Sequence, residues 1–171
     1  VLSSDYYLAV YETTQSQYTK LYSSPSQFYF MKDGDCRPCE NIAWENARGK
    51  GSVWPGDTRA EAYASVPEAS FLGSLRKHAG GQTLFDLPTE AQWEFACRAG
   101  TSTGLNSGKQ VTTVDVGKRC PNVDEVAWNV YSDYSNAPGG TNQTREVGLK
   151  KPNAFGLYDM HGNAEELCLD A

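Results

Sequence analysis

The chain has 171 residues, enough for one domain with an apolar core, and its 39% hydrophobic and 21% charged residues exclude a disordered or collagen-like polypeptide. Its 21 acidic residues outweigh 15 basic ones, a net charge of −6 that leaves no basic stripe for nucleic acid. No run approaches the roughly 18 apolar residues that a membrane span needs, and ten Tyr, six Phe, four Trp, 16 Gly and 8 Pro favour a loop-rich fold with large rings packed between short elements.

The N-terminal VLSSDYYLAVYE has neither a basic n-region nor an apolar h-region, and the chain begins at Val1. The expectation is a soluble protein, secreted or periplasmic if a signal has been removed. YYLAVYETT reads as a strand, rich in aromatic residues and partly alternating. A helix should start at Thr14, whose hydroxyl caps the first turn while Gln17 reaches back, and Tyr18, Leu21 and Tyr22 then form its buried face.

Residues 23–42 read as loop, AWENARGK as a short helix start, and GSVWPGDTRAEAYAS as another loop. Ser65 followed by Pro67 and Glu68 is a second capping signal, and Phe71, Leu72 and Leu75 give the stripe of a helix ending at Gly80-Gly81. LFDLP should be extended. Thr89 with Gln92 is a third capping box, opening a helix whose Trp93, Ala96 and Cys97 face one way until Gly100. Beyond it the chain is polar and turn-rich, with VTTVDV and EVAWNVY as candidate short strands. NQT at 142–144 fits a glycosylation sequon or a chance match equally well. Strands and helices without βαβ alternation make the fold class α+β.

Five cysteines, Cys36, Cys39, Cys97, Cys120 and Cys168, are an odd set and too sparse for a disulfide scaffold. Cys36 and Cys39 form a CxxC, but no second pair or histidine stands at zinc-ligand spacing, so ordinary thiols are the simpler reading. His161 has no nucleophile or carboxylate at a fixed spacing, which gives no catalytic residue. The closing stretch DMHGNAEELCLDA gathers Asp159, Glu165, Glu166 and Asp170 around a glycine and an asparagine. It reads either as an oxygen-rich metal loop or as a solvated acidic run.

Two segments, LFDLPTEAQWEFACRAG (84–100) and KPNAFGLYDMHGNAEELCLD (151–170), resemble the signatures of the formylglycine-generating enzyme family, the sulfatase-modifying factors. YYLAVYETTQSQY (6–18) is similar to the family's entry strand and helix start, and RPCENIAWENAR (37–48) to its P-V-E-N-V-S-W segment. The resemblance implies a single domain over 1–171 with a C-type-lectin-like α+β fold of low regular secondary structure, incomplete at the C-terminus.

The resemblance also implies cofactors. Family members hold a structural Ca(II)-type ion in the corresponding loop, and the ligands fall on Asp159, the carbonyls of Gly162 and Ala164, and Glu166. Glu165 and Leu167 depart from the family pattern, standing where two tryptophans commonly pack. The family's oxidases bind Cu(I) through a C-terminal cysteine pair that none of the five cysteines here matches, so Cu is expected only if a further C-terminal part carries it. Without that pair, the chain alone is expected to lack formylglycine-generating activity.

The alternative is a non-catalytic lectin-like module for a protein or peptide ligand, such as a bacterial retroelement-diversified variable protein. A third class of relatives, iron-dependent sulfoxide synthases, suits two unpaired histidines least. Association with another polypeptide that completes the domain is a further expectation.

Overall fold

In the computed structural model, residues 5–22, 28, 36–49, 66–112, 120–129 and 143–170 are described. Among them are five short helices: α1 Gln15–Leu21, α2 Trp44–Ala47, α3 Phe71–His78, α4 Glu90–Arg98 and α5 Pro121–Asp124. Everything between is irregular.

The capping signals place α1 and α4 where the sequence predicts them. Thr14 Oγ1 accepts from the Gln17 amide at 3.2 Å and Gln17 Oε1 from the Thr14 amide at 2.9 Å. Thr89 and Gln92 repeat the pattern with the same two distances. Helix α4 leaves its axis at Ala99, which takes the left-handed φ of 45° itself, ahead of Gly100. The start expected at Ser65 is displaced: Ser70 is the N-cap, its Oγ accepting from the Gly73 amide at 3.0 Å, and α3 begins at Phe71. The chain before it folds back on α3, so that a Cβ on Gly73 would stand 2.0 Å from the Pro67 carbonyl oxygen.

The strands expected in YYLAVYETT and EVAWNVY form no ladder among the described residues; VTTVDV lies largely outside them, as do Asn142 of the sequon and Ser65. The one β-bridge there pairs Thr14 with Pro38. The backbone of residues 5–14 is satisfied by loops instead: Val10 O accepts from Tyr158 N at 3.1 Å and Thr13 O from Cys39 N at 2.8 Å. Aromatic alternation sets which side chains face inward, but a ladder needs a second extended segment alongside, and here turns occupy that place.

Two apolar clusters organise this framework. In the first, Tyr18 stacks on Phe71 at 4.9 Å and meets Phe28 and Tyr22 edge-on, with Leu72 beside them. The second joins Ala96 and Cys97 of α4 to Leu157 and Met160, with Trp93 and Leu8 packed against it. Asn153 fastens that junction, its amide donating to the Ala96 and Cys97 carbonyls while its Oδ1 accepts from Phe155 and Leu157. The described core also holds a buried ion pair. Arg48, wholly buried, grips Asp86 through Nε at 2.9 Å and a second nitrogen at 3.0 Å, and Arg76 adds a contact at 3.3 Å.

Candidate functional site at the 159–166 loop

The α4 cluster presents the loop that follows it. Met160 anchors one end in the core, while Leu169 N donates to Pro88 O at 2.7 Å and Asp170 Oδ1 accepts from Glu90 N at 2.7 Å at the other. Asp170 thus meets an amide of the first turn of α4 that Thr89 leaves unpaired, at the end of the helix where negative charge is favoured.

Between these anchors the backbone turns sharply. Asp159, Gly162 and Asn163 all have positive φ, at 58°, 143° and 74°. A Cβ at Gly162 would lie 2.2 Å from the Trp128 carbonyl oxygen, so close approach as well as conformation requires glycine there. Asn163 donates its backbone N–H to that Trp128 oxygen at 3.1 Å. Because a trans peptide opposes its N–H and C=O, this bond turns the Gly162 carbonyl away from Trp128. The Asn163 side chain binds Arg145 twice, accepting from its N–H at 2.7 Å and donating to its carbonyl at 3.1 Å.

Three carboxylates face this turn. Asp159 is 3% exposed; its Oδ2 accepts from Gly148 N at 2.7 Å, and its Oδ1 is buried without a hydrogen-bond partner among the described residues. Burial raises its pKa against the opposing pull of the Gly148 amide and of Lys150. Glu166 is an exposed residue whose carboxylate accepts from Trp93 Nε1 at 3.0 Å; loss of hydration there raises its pKa too, with Asp159 adding repulsion.

The third is Glu12, from the segment entering α1. Its Oε2 accepts from Asn163 Nδ2 at 2.6 Å and its Oε1 from Ala164 N at 3.0 Å. Burial first, then the charges of Asp159 and Glu166, push its pKa up to about 8 despite the donation from Asn163 and Ala164. Sequence reasoning passed over Glu12; its signal was an acid placed in an otherwise aromatic segment immediately before a helix cap.

The four residues expected to bind a cation therefore lie on one tight turn, and the donor chemistry suits a hard ion: two carboxylates, one with an unpaired buried oxygen, beside backbone carbonyls. Among the described residues no three His, Cys, Asp or Glu side chains converge to hold a metal by side chains alone, so backbone oxygens would have to share the work. Glu165 and Leu167 are exposed, leaving their part of the loop without the packing that two tryptophans would supply.

The other sequence candidates scatter. His161 Nε2 accepts from Asn106 N at 2.9 Å and lies 4.0 Å from Cys97 Sγ; burial, then Arg98, lowers its pKa, and its proton acceptor is already engaged. All five cysteines are free thiols. Burial pushes Cys39 up to about 12 and Cys97 and Cys168 up to about 11. Only Cys120 is lowered, by the Thr112 hydroxyl at 3.4 Å and by neighbouring backbone amides.

Comparison with known proteins gives the family. The sulfatase-modifying factor enzyme 1-like domain family matches residues 2–171. The chain belongs to this family. It is 28% identical to the chaperone protein LppX of Paenibacillus barcinonensis over 190 aligned residues, covering 98% of this chain and 63% of that protein. It is 31% identical to the formylglycine-generating enzyme of Thermomonospora curvata over 84 residues, 49% of this chain and 26% of the enzyme. The sulfatase-modifying-factor domain therefore spans less than two thirds of the curated relatives it matches.

Among solved structures, Treponema denticola variable protein 1 superposes with a TM-score of 0.57 at 23% identity, over 92% of this chain and 59% of that one, a likeness of fold. Among the described residues no helix is long and apolar enough to cross a membrane.

Proposed function

We propose that this domain is a non-catalytic, lectin-like α+β binding scaffold whose 159–166 loop is held by a Ca(II)-type cation, with Asp159, Glu166 and the carbonyls of Gly162 and Ala164 as ligands. The observation that carries this reading is the buried, unpaired Oδ1 of Asp159, on a turn that gathers further carboxylates. An ionised carboxyl left so is costly in a protein interior, and a hard cation is the partner whose chemistry matches it. Bound there, the ion would neutralise the loop and supply rigidity; the chain's own part is to aim the oxygens.

The cysteines do not fit the Cu(I) pair of the family's oxidases. Soft copper wants thiolates, and burial pushes the thiols of Cys39, Cys97 and Cys168 up, against the thiolate form. A protein or peptide ligand accords with the naming of the Paenibacillus relative as a chaperone protein.

The test of the non-catalytic reading is incubation of the chain with Cu(I), oxygen and a cysteine-containing sulfatase-type peptide, followed by mass spectrometry. The peptide should emerge unchanged. Conversion of its cysteine to formylglycine would overturn the reading. Association with a second polypeptide is part of the same proposal, and a monodisperse monomer in light scattering, alone and with candidate partners, would contradict it.

A further inference from the structure

Glu12 is 151 residues away from Asn163 in sequence, yet both of its carboxylate oxygens are spent on the turn that follows Asp159. Each oxygen thus accepts from one donor of the turn, and these bonds favour the carboxylate against the burial that pushes its pKa up to about 8. Among the described residues no lysine or arginine is paired with Glu12, and the neighbours that act on it through charge are Asp159 and Glu166, both acidic. The loop thus commits a third carboxyl group to holding its own backbone, beside two others.

That expense has a structural return. The bond from Ala164 N fixes the peptide between Asn163 and Ala164, while the bond from Asn163 Nδ2 completes the set of contacts that locks Asn163 in its left-handed conformation. The residues so fixed stand between and upon the carbonyls of Gly162 and Ala164.

We infer that Glu12 is a positioning residue for the cation, an outer carboxyl group that does not bind the ion itself but holds the Gly162–Ala164 turn in the binding conformation. Outer carboxylates that orient metal ligands typically change metal affinity by about 10–100-fold when removed. The inference rests on the cation reading above, and names the residue that couples the segment before α1 to that site.

The experiment titrates the full chain with Tb(III), a luminescent stand-in for Ca(II), and displaces it with Ca(II). Trp93, whose indole N–H is 3.0 Å from Glu166, serves as the sensitiser. Thermal unfolding in EDTA is measured alongside. Glu12→Gln keeps the shape and one acceptor but removes the charge and sets an amide against a donor. Its expected result is at least tenfold weaker Tb(III) and Ca(II) binding, with an unfolding midpoint in EDTA unchanged from that of the wild type.

Asn163→Gly, which keeps the left-handed backbone and deletes the other half of the contact, should weaken binding likewise, and carries the test if the first variant does not fold. Wild-type binding that Glu12→Gln leaves within threefold would overturn the role of Glu12 and leave the cation reading standing. A lower midpoint in EDTA matching the loss of affinity would assign Glu12 to the fold alone. A wild type that binds neither ion at millimolar concentration would overturn both.

Discussion

Asp86 and Asp159 are both buried carboxylates in irregular segments, but only one of them is met by positive charge. Asp86 receives a two-pronged grip from Arg48 and a further contact from Arg76. Asp159 receives one backbone amide, has Lys150 as its nearest compensating charge, and shares its surroundings with Glu12 and Glu166. Among the described residues the first region holds its counterions in hydrogen-bond contact, whereas in the second Lys150 stands against several acids. On the reading proposed above, the second region takes a cation to make up that difference, and the first does not.

This contrast is open to attack from several sides. Breaking the satisfied region should have the largest effect. Asp86→Ala takes from the wholly buried Arg48 the carboxylate that grips it through two nitrogens, and should destabilise the chain by about 3–5 kcal/mol in urea unfolding, equally with and without Ca(II). A loss below about 1 kcal/mol, the range of exposed ion pairs, would remove Asp86 from that role.

Removing divalent ions comes next. Saturating Ca(II), at a hundred times its dissociation constant, should raise the stability of the wild type by about 2.7 kcal/mol over EDTA, and indifference to Ca(II) would contradict the loop's dependence on a cation. Smaller is the contribution of the cap that places α4 under the loop. Thr89→Ala forfeits the Oγ1 bond to the Gln92 amide and should cost about 1 kcal/mol, read from the urea midpoint; no change would show the cap to be redundant with Asp170.

The smallest effect belongs to a surface pair. Lys109 and Lys151 hold Glu125 down to about 2, from an ordinary 4.5. A depressed acid stabilises the fold above its unfolded pKa and loses that contribution as pH falls, here through the window from 4.5 toward 2. Glu125→Gln should flatten the acid limb of the stability profile slightly, and an unchanged limb would place its cause elsewhere.

How far the sequence disclosed all this depended on the range of the interactions. The caps at Thr14 and Thr89 were legible because each is complete within four residues. The shift of the α3 start from Ser65 to Ser70 was not, since it depends on how the preceding chain folds back over Gly73. The expected strands failed for a similar reason: alternation reports one segment, and a ladder needs two.

At the candidate site, Asp159, Gly162, Ala164 and Glu166 were readable together because they share one short turn. Glu12 was hidden because its partners lie some 150 positions away. The same holds for Arg48 and Asp86, 38 positions apart, which in sequence are an arginine in an unremarkable helix and an acid between apolar neighbours.

The central claim is that a buried carboxylate oxygen on the 159–166 turn awaits a hard cation. Isothermal titration of Ca(II) into the wild type and into Asp159→Asn tests it most directly, since asparagine tolerates the left-handed backbone and keeps an acceptor for Gly148 while losing the charge. The account predicts one Ca(II) bound per wild-type chain and binding lost or weakened by at least tenfold in the variant. Equal binding by both chains, or none by the wild type, would contradict it.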